Sequence, residues 1–347
     1  MYGQPLTSAV IKEGERLHAA LKSVSYDGCH SWSKQVCEHI APLSLKIKKL
    51  KKEKNAVILA HSYVTPDIVY GIADYRGVSY SLSKWASESK ADIIIFAGVV
   101  FMAETAKLLN PKARVFIPDP LSGCSLSEAI QAKHVRELKA EHPGVPVVCY
   151  INSSADVKAE SDICVTSSNV YKIVANLPNE KVIFIPDQLM AENIRGYLLK
   201  NNIKKEIITR PGTCIVHDQF TAEQIAYEKS KVKDLAIVSH PECPPDVTAA
   251  SDFVGSTSAM MEFVKTTNHD HYLLLTECGL VSRLQSENPE KKFVMSCRLC
   301  PYMKRNSMQK VHDVLESMDP AKEVHVSADV AKKALASIEK MFELAEA

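Results

Sequence analysis

A chain of 347 residues with 46% apolar content is longer than one hydrophobic core, so two or three compact units are expected. Lys and Arg number 42 against 41 Asp and Glu, and this net charge of +1 excludes the broad basic footprint of a nucleic-acid binder. The first thirty residues lack an apolar signal core, and the longest apolar run, 93–103, is too short to cross a bilayer. A cytoplasmic location is expected, with the ten cysteines serving as free thiols, metal ligands or redox groups rather than structural disulfides.

Residues 1–54 read as an N-terminal helical extension with a Cys29…Cys37 loop, and the basic run Lys46 to Lys54 as a solvated helix face. In a first unit, 55–135, a strand ends at His61 and a helix follows Pro66. A second strand, 92–97, leads into a helix around Met102, and a third, 114–119, leads towards Cys124.

A second unit, 136–225, repeats this order. Its strand 145–152 precedes a helix from about Ala155, and 161–168 precedes a helix at 170–177. The strand 181–187, a helix through Arg195 and the strand 206–209 then lead to Cys214. A third unit, 226–306, has strands at 235–240, 251–256, 272–277 and 292–295, with helices near Val247, at 259–265 and through Leu284, and reaches Cys300. The tail, 307–347, reads as a helix to about Met318, a short strand at 323–326 and a helix over about 329–345, packing on the units. Short apolar strands alternating with helices predict an α/β fold: three similar units with parallel sheets in pseudo-threefold symmetry around a central site.

Cys124, Cys214 and Cys300 stand 90 and 86 residues apart, one at matching places in each unit. Three thiolates hold three corners of a four-iron cluster and leave one iron open as a Lewis acid. The first strands end in His61-Ser62-Tyr63, Tyr150-Ile151-Asn152 and His240-Pro241-Glu242, polar groups where apolar packing is the rule. The next strands end in Thr166-Ser167-Ser168 and Gly255-Ser256-Thr257-Ser258, hydroxyls suited to capping a helix or holding an anion at its N-terminus.

From about Asn55 to the tail the chain resembles quinolinate synthase, the [4Fe-4S] enzyme of de novo NAD biosynthesis. The resemblance is carried by Leu59-Ala-His-Ser-Tyr, Ala97-Gly-Val-Val-Phe-Met-Ala-Glu-Thr-Ala-Lys, Tyr150-Ile-Asn-Ser-Ser, Val165-Thr-Ser-Ser-Asn, Gly212-Thr-Cys-Ile-Val-His-Asp, His240-Pro-Glu-Cys-Pro, Val254-Gly-Ser-Thr-Ser and Cys300-Pro-Tyr-Met. It implies one [4Fe-4S] cluster per chain on Cys124, Cys214 and Cys300, and condensation of iminoaspartate with dihydroxyacetone phosphate to quinolinate. It leaves room for a transient contact with the enzyme that supplies iminoaspartate. It further implies Glu242 as acid/base residue with Tyr63 and Tyr150 as helpers. Substrate or product is expected on His61, Ser81, Tyr150, Asn152, Ser167, His217, His240, Glu242, Ser256 and Thr257. One departure is Tyr80-Ser81-Leu82 where the family usually has Asp-Ser-Leu.

Cys149 and Cys164 lie in apolar strands and Cys243 and Cys278 at strand ends, so all four are expected to pack as small hydrophobes. Cys297-x-x-Cys300 alone suggests a redox couple, able to close only without a cluster. Two other classes share the cysteine pattern: another three-cysteine [4Fe-4S] hydratase or dehydratase, and an inactive iron–sulfur sensor. A radical enzyme would gather its cysteines in one loop.

Overall fold

The computed structural model describes residues 7–24 and 32–346; the expected Cys29 loop lies outside them. Three four-stranded sheets form. The first holds β1 Ala56–His61, β2 Tyr75–Gly77, β3 Ile93–Ala97 and β4 Arg114–Phe116. The second holds β5 Val147–Tyr150, β6 Ile163–Val165, β7 Lys181–Ile185 and β8 Glu206–Ile208. The third holds β9 Leu235–Ser239, β10 Phe253–Val254, β11 His271–Leu275 and β12 Lys292–Val294. Every strand pair is parallel, and each sheet has the order second, first, third, fourth: β2-β1-β3-β4, β6-β5-β7-β8 and β10-β9-β11-β12. The α/β class with three like units is therefore observed.

Two small devices repeat with the sheets and fix their register. A residue in left-handed conformation turns the chain into each first strand: Asn55 (φ 47°), Gly144 (φ 79°) and Asp234 (φ 47°). Gly, Asn and Asp tolerate that conformation best. An aspartate then opens each second strand and ties it to the first. Asp74, Asp162 and Asp252 accept from the N–H of Ile58, Val147 and Ile237 at 2.7, 2.7 and 2.8 Å. Their own N–H groups donate back to the carbonyls of the same residues. Counted from these anchors, His61, Tyr150 and His240 occupy one shared position, and Tyr63, Asn152 and Glu242 another, two residues on.

Helices bury both faces of the strands, as their near-continuous apolar runs require. Phe96, Phe116 and Ile58 fill the first core, Phe184 and Val148 the second, Tyr272 and Ile237 the third. Truncating the fully buried Phe184 to Ala costs about 3–5 kcal/mol by lost transfer energy and cavity. The helix Lys34–Glu53 inserts Ile47 into the first core, joined by Val311, Val314 and Leu315 of the tail helix Met308–Ser317. The last helix, Ala328–Glu346, lays Ala334, Ile338 and Met341 on the second core.

Some local expectations change. The helix after Pro66 is a wide π-turn, Asp67–Ile72, whose terminal carbonyls are met by Arg16 (to Gly71, 2.7 Å) and Lys51 (to Ile72, 3.0 Å). The Lys46–Lys54 run is only partly a free face, because Lys48 pairs with Glu13 at 2.7 Å and Lys51 with Asp74 at 2.6 Å. The strand expected at 323–326 reduces to one bridge, Phe116 to Glu323, since β4 offers it only a short edge. Cys149, Cys164 and Cys243 are fully buried, as expected, and Cys37 packs against Leu17 and Leu21. Cys278 and Cys297 depart from expectation by forming a disulfide. The backbone bridge between Glu277 and Arg298 sets their Cα atoms 5.0 Å apart, so Cys297 pairs with Cys278 and leaves Cys300 free.

Candidate active site at the junction of the three units

Residues of all three units line one cavity of about 290 Å³, where the strands end and helices begin. Cys124, Cys214 and Cys300 all open onto it as free thiols. Their surroundings follow one pattern. The backbone N–H groups of the residues two and three further on favour each thiolate: Leu126 and Ser127, Val216 and His217, Tyr302 and Met303. Burial nonetheless pushes the thiols of Cys124 and Cys300 up to about 12 and about 11, and that of Cys214 well above its usual value.

The three cysteine loops are laced together. Ser125 Oγ donates to Thr213 O (2.9 Å) and accepts from Ile215 N (3.1 Å), holding Cys214 between its contacts. Tyr302 donates to Glu128, on the helix that follows Cys124, at 2.8 Å. Buried Glu277 accepts from Cys300 N at 3.2 Å and from Lys304 Nζ at 2.8 Å. Sequence reasoning passed over Ser125 and Glu277. The signal for Glu277 was its place at a strand end, the rule already applied to the first strand of each unit.

His61 and His240 are built alike. Nδ1 of each ring accepts the N–H of the residue two further on, Tyr63 (3.2 Å) and Glu242 (3.4 Å). Nε2 then carries the hydrogen and has no protein partner among the described residues, so both rings are ready donors. Burial, then the positive charges of Lys304 and Arg283, lower His61 to about 3. Burial likewise takes His240 to about 3, so both are neutral.

Glu242, 3% exposed, is the hub of a buried network. Its carboxylate accepts from Tyr150 OH (2.5 Å), His217 Nδ1 (2.8 Å) and Asn152 Nδ2 (3.5 Å). Burial works to raise its pKa, but His217 and the Tyr150 hydroxyl outweigh it and hold the carboxyl below its ordinary range. His217 stacks on His240 with centroids 4.7 Å apart and reaches Thr276 Oγ1 with Nε2 at 3.0 Å. Thr276 also meets Tyr63 OH at 3.1 Å, joining the two tyrosines through one chain of bonds. Burial pushes both phenols up, Tyr150 further because of the Glu242 charge. Thr276, at the end of β11, was another strand-end residue passed over.

Hydroxyls from two helix starts and from the turn before a third also line the cavity. Counting from Asp74, Asp162 and Asp252, the matching residues are Ser79, Ser167 and Thr257, and all three line the cavity. Ser256 caps its helix through Ala259 N at 3.3 Å. Ser81 lines the cavity too, but its hydroxyl bonds Val78 N (3.2 Å) and Val78 O (3.0 Å), the place Asn169 fills in the second unit. Ser79 is thus the first-unit counterpart of Ser167 and Thr257. Tyr80 stands beside it, edge-on to Phe342 at 5.7 Å.

Fold and site together define an α/β enzyme of three like units with a thiol-bearing cavity at their junction. A model of the family described as Quinolinate synthetase A protein matches residues 45–343. The quinolinate synthase of Sinorhizobium medicae (strain WSM419) is 46% identical over 338 residues, 97% of this chain and 90% of its own. That of Caulobacter vibrioides (strain NA1000 / CB15N) is 44% identical over 88% of this chain and 82% of its own. That of Xylella fastidiosa (strain Temecula1 / ATCC 700964) is 45% identical over 85% of both. The chain belongs to the Quinolinate synthetase A family of enzymes.

Proposed function

We propose that this chain condenses iminoaspartate with dihydroxyacetone phosphate to quinolinate, releasing phosphate and water, as a cytoplasmic step of NAD biosynthesis. One [4Fe-4S] cluster is held by Cys124, Cys214 and Cys300, one ligand from each of the units 55–135, 136–225 and 226–306. The pseudo-threefold arrangement of the units about it is supported by their common strand order. No described helix is long and apolar enough to cross a membrane, in keeping with a soluble enzyme.

The observation that carries this reading is the thiol set. Three free cysteines from three units open on one cavity, and at each the backbone N–H groups two and three residues on favour the thiolate. N–H groups at the sulfurs are what thiolates bound to iron require, and such raised thiols lose their protons to a metal rather than to water. When bound, the cluster supplies an open iron as a Lewis acid for loss of hydroxide.

The protein groups divide the remaining work. The Nε2–H groups of His61 and His240 and the amide of Asn152 bind carboxylate oxygens without a buried cation. Ser256 and Thr257, at a helix N-terminus, and Ser167, in the turn before another helix, take the phosphate or the second carboxylate. Ser81 lends its hydroxyl to the backbone that presents the first-unit helix. Glu242 accepts the proton released when the new carbon–carbon bond forms; Tyr150 helps by holding that carboxylate with its hydroxyl, and neutral Tyr63 donates to a developing oxyanion. His217 holds Glu242 in place from behind.

The test is anaerobic purification followed by assay. About four irons and four sulfides per chain are expected, and quinolinate should accumulate from the two substrates in chromatography. An iron-replete chain that forms no quinolinate overturns the reading.

A further inference from the structure

Glu242, His217 and Cys214 also stand close enough together to share one ion. One donor atom of each lies within 4.8 Å of the other two. His217 Nδ1 is 3.2 Å from Cys214 Sγ and 2.8 Å from Glu242 Oε2. We propose that Cys214, His217 and Glu242 form a binding site for a single divalent ion of the zinc type in the chain that lacks a cluster.

Zinc bond lengths of about 2.0–2.3 Å place tetrahedral donors roughly 3.3–3.6 Å apart, so the two distances that His217 makes need change by only about half an ångström. The orienting contacts already exist. His217 Nε2 faces Thr276 Oγ1 at 3.0 Å, and the second oxygen of Glu242 is held by Tyr150 OH at 2.5 Å. Outer contacts of this kind fix ring tautomer and carboxylate direction in metal sites. All three residues line the cavity, which leaves a fourth position for water or a small ligand. One sulfur, one nitrogen and one oxygen select zinc, cobalt or ferrous iron over magnesium or calcium.

The proton balance closes. The Cys214 thiol releases its proton to solvent as the metal–sulfur bond forms, and the imidazole proton moves from Nδ1 to Nε2, where Thr276 accepts it. An ion seated here occupies the thiolate of one proposed cluster corner, so zinc and cluster exclude each other. That corollary rests on the proposed cluster; the site itself does not.

The experiment uses the full chain, freed of iron by a chelator under reducing conditions and titrated with Co(II) without oxygen. One equivalent should bind with a thiolate-to-cobalt charge-transfer band and strong tetrahedral ligand-field bands, which Zn(II) bleaches. Cys214→Ala should abolish the charge-transfer band. His217→Ala and Glu242→Gln should each weaken binding more than about 100-fold, because outer contacts alone are worth about 10- to 100-fold. Thr276→Val, which removes only an outer contact, should cost about 10-fold. Cys124→Ala and Cys300→Ala should bind as the parent chain does. Equal losses from Cys124→Ala and Cys214→Ala would place the ion among the three thiols and overturn the proposal. Should His217→Ala fail to fold, nitrogen NMR of the histidine-labelled, zinc-loaded parent chain reads Nδ1 directly; an unshifted His217 overturns it too. Reconstitution of the parent chain with iron and sulfide, run alongside, separates the two ideas. Four irons taken up without any cobalt binding would sink this site and leave the proposed enzyme standing.

Discussion

Replacing Glu242 by Gln separates proton transfer from shape. The side chain is 3% exposed and accepts from Tyr150 at 2.5 Å and His217 at 2.8 Å. Glutamine keeps one oxygen for Tyr150 and turns its NH2 to His217, whose ring accepts by changing tautomer and donates Nε2–H to Thr276. Every hydrogen bond is preserved in number, and each loses its charge assistance, about 1–2 kcal/mol. Relief of the buried charge offsets that loss, so the fold should hold. The proton acceptor is gone, and such groups are worth about 10²–10⁴ in rate, roughly 3–5 kcal/mol of barrier. The expected result is a kcat lower by that factor with KM changed less than about tenfold. The assay is quinolinate formation without oxygen, with iminoaspartate generated in place and iron and sulfide counted beforehand. A kcat within about threefold of the parent chain at full iron content would refute the reasoning, as would a rise in KM alone.

Cys124→Ala should purify without a stable cluster and without activity, whereas Cys149→Ala, inside a strand, should keep full iron content. Iron analysis decides, and full iron in Cys124→Ala would contradict the three-ligand assignment. Burial above all lowers His61 from 6.5 to about 3, so below pH 6.5 the unfolded chain binds a proton that the folded chain refuses. Stability from this residue is therefore intact above pH 6.5 and falls as pH drops towards 3, by about 2 kcal/mol at pH 5. His61→Gln should flatten the urea-unfolding stability between pH 7 and 5 by that amount, and an unchanged slope would mean that His61 protonates within the fold. Asp74→Ala, Asp162→Ala and Asp252→Ala should each lower stability by about 1–3 kcal/mol, since each strands the N–H of a first strand. If one of the three were neutral in thermal melts, the shared anchor would not be doing the same job in every unit.

The alternation of apolar strands with helices, and the one cysteine per unit, were legible because both are periodic along the chain. The shared position of His61, Tyr150 and His240 was legible as a strand-end triplet. Its register became countable only with the aspartate anchors, whose side-chain bonds no sequence pattern announces. Thr276 and Glu277 were read as the close of a strand, and their partners lie far off: Tyr63 across 213 residues, Cys300 across 23. The Cys278–Cys297 disulfide was missed for a related reason. Spacing draws attention to Cys297 and Cys300, while the contact that matters is made by the backbone bridge at Glu277. Ser81 follows from the motif and does line the cavity, and its hydroxyl also bonds Val78 N and Val78 O, a local contact of the kind short hydroxyls make at helix starts.

One position, three times repeated, has diverged into different chemistry. His61 and His240 both use the N–H two residues on to fix their tautomer, which turns a backbone constant into a neutral donor. Tyr150 at the same position has no ring nitrogen to fix, and instead gives its hydrogen to Glu242, the residue two beyond His240. The carboxylate of the third unit is therefore set by the first-strand end of the second. His217, three residues beyond Cys214, supplies the other contact to Glu242, while Thr276 ties His217 back to Tyr63 of the first unit. No unit contains a complete set of groups, since each lacks the partner that another holds. A cavity made this way forms only when all three units are docked, so assembly of the fold and assembly of the site are the same event.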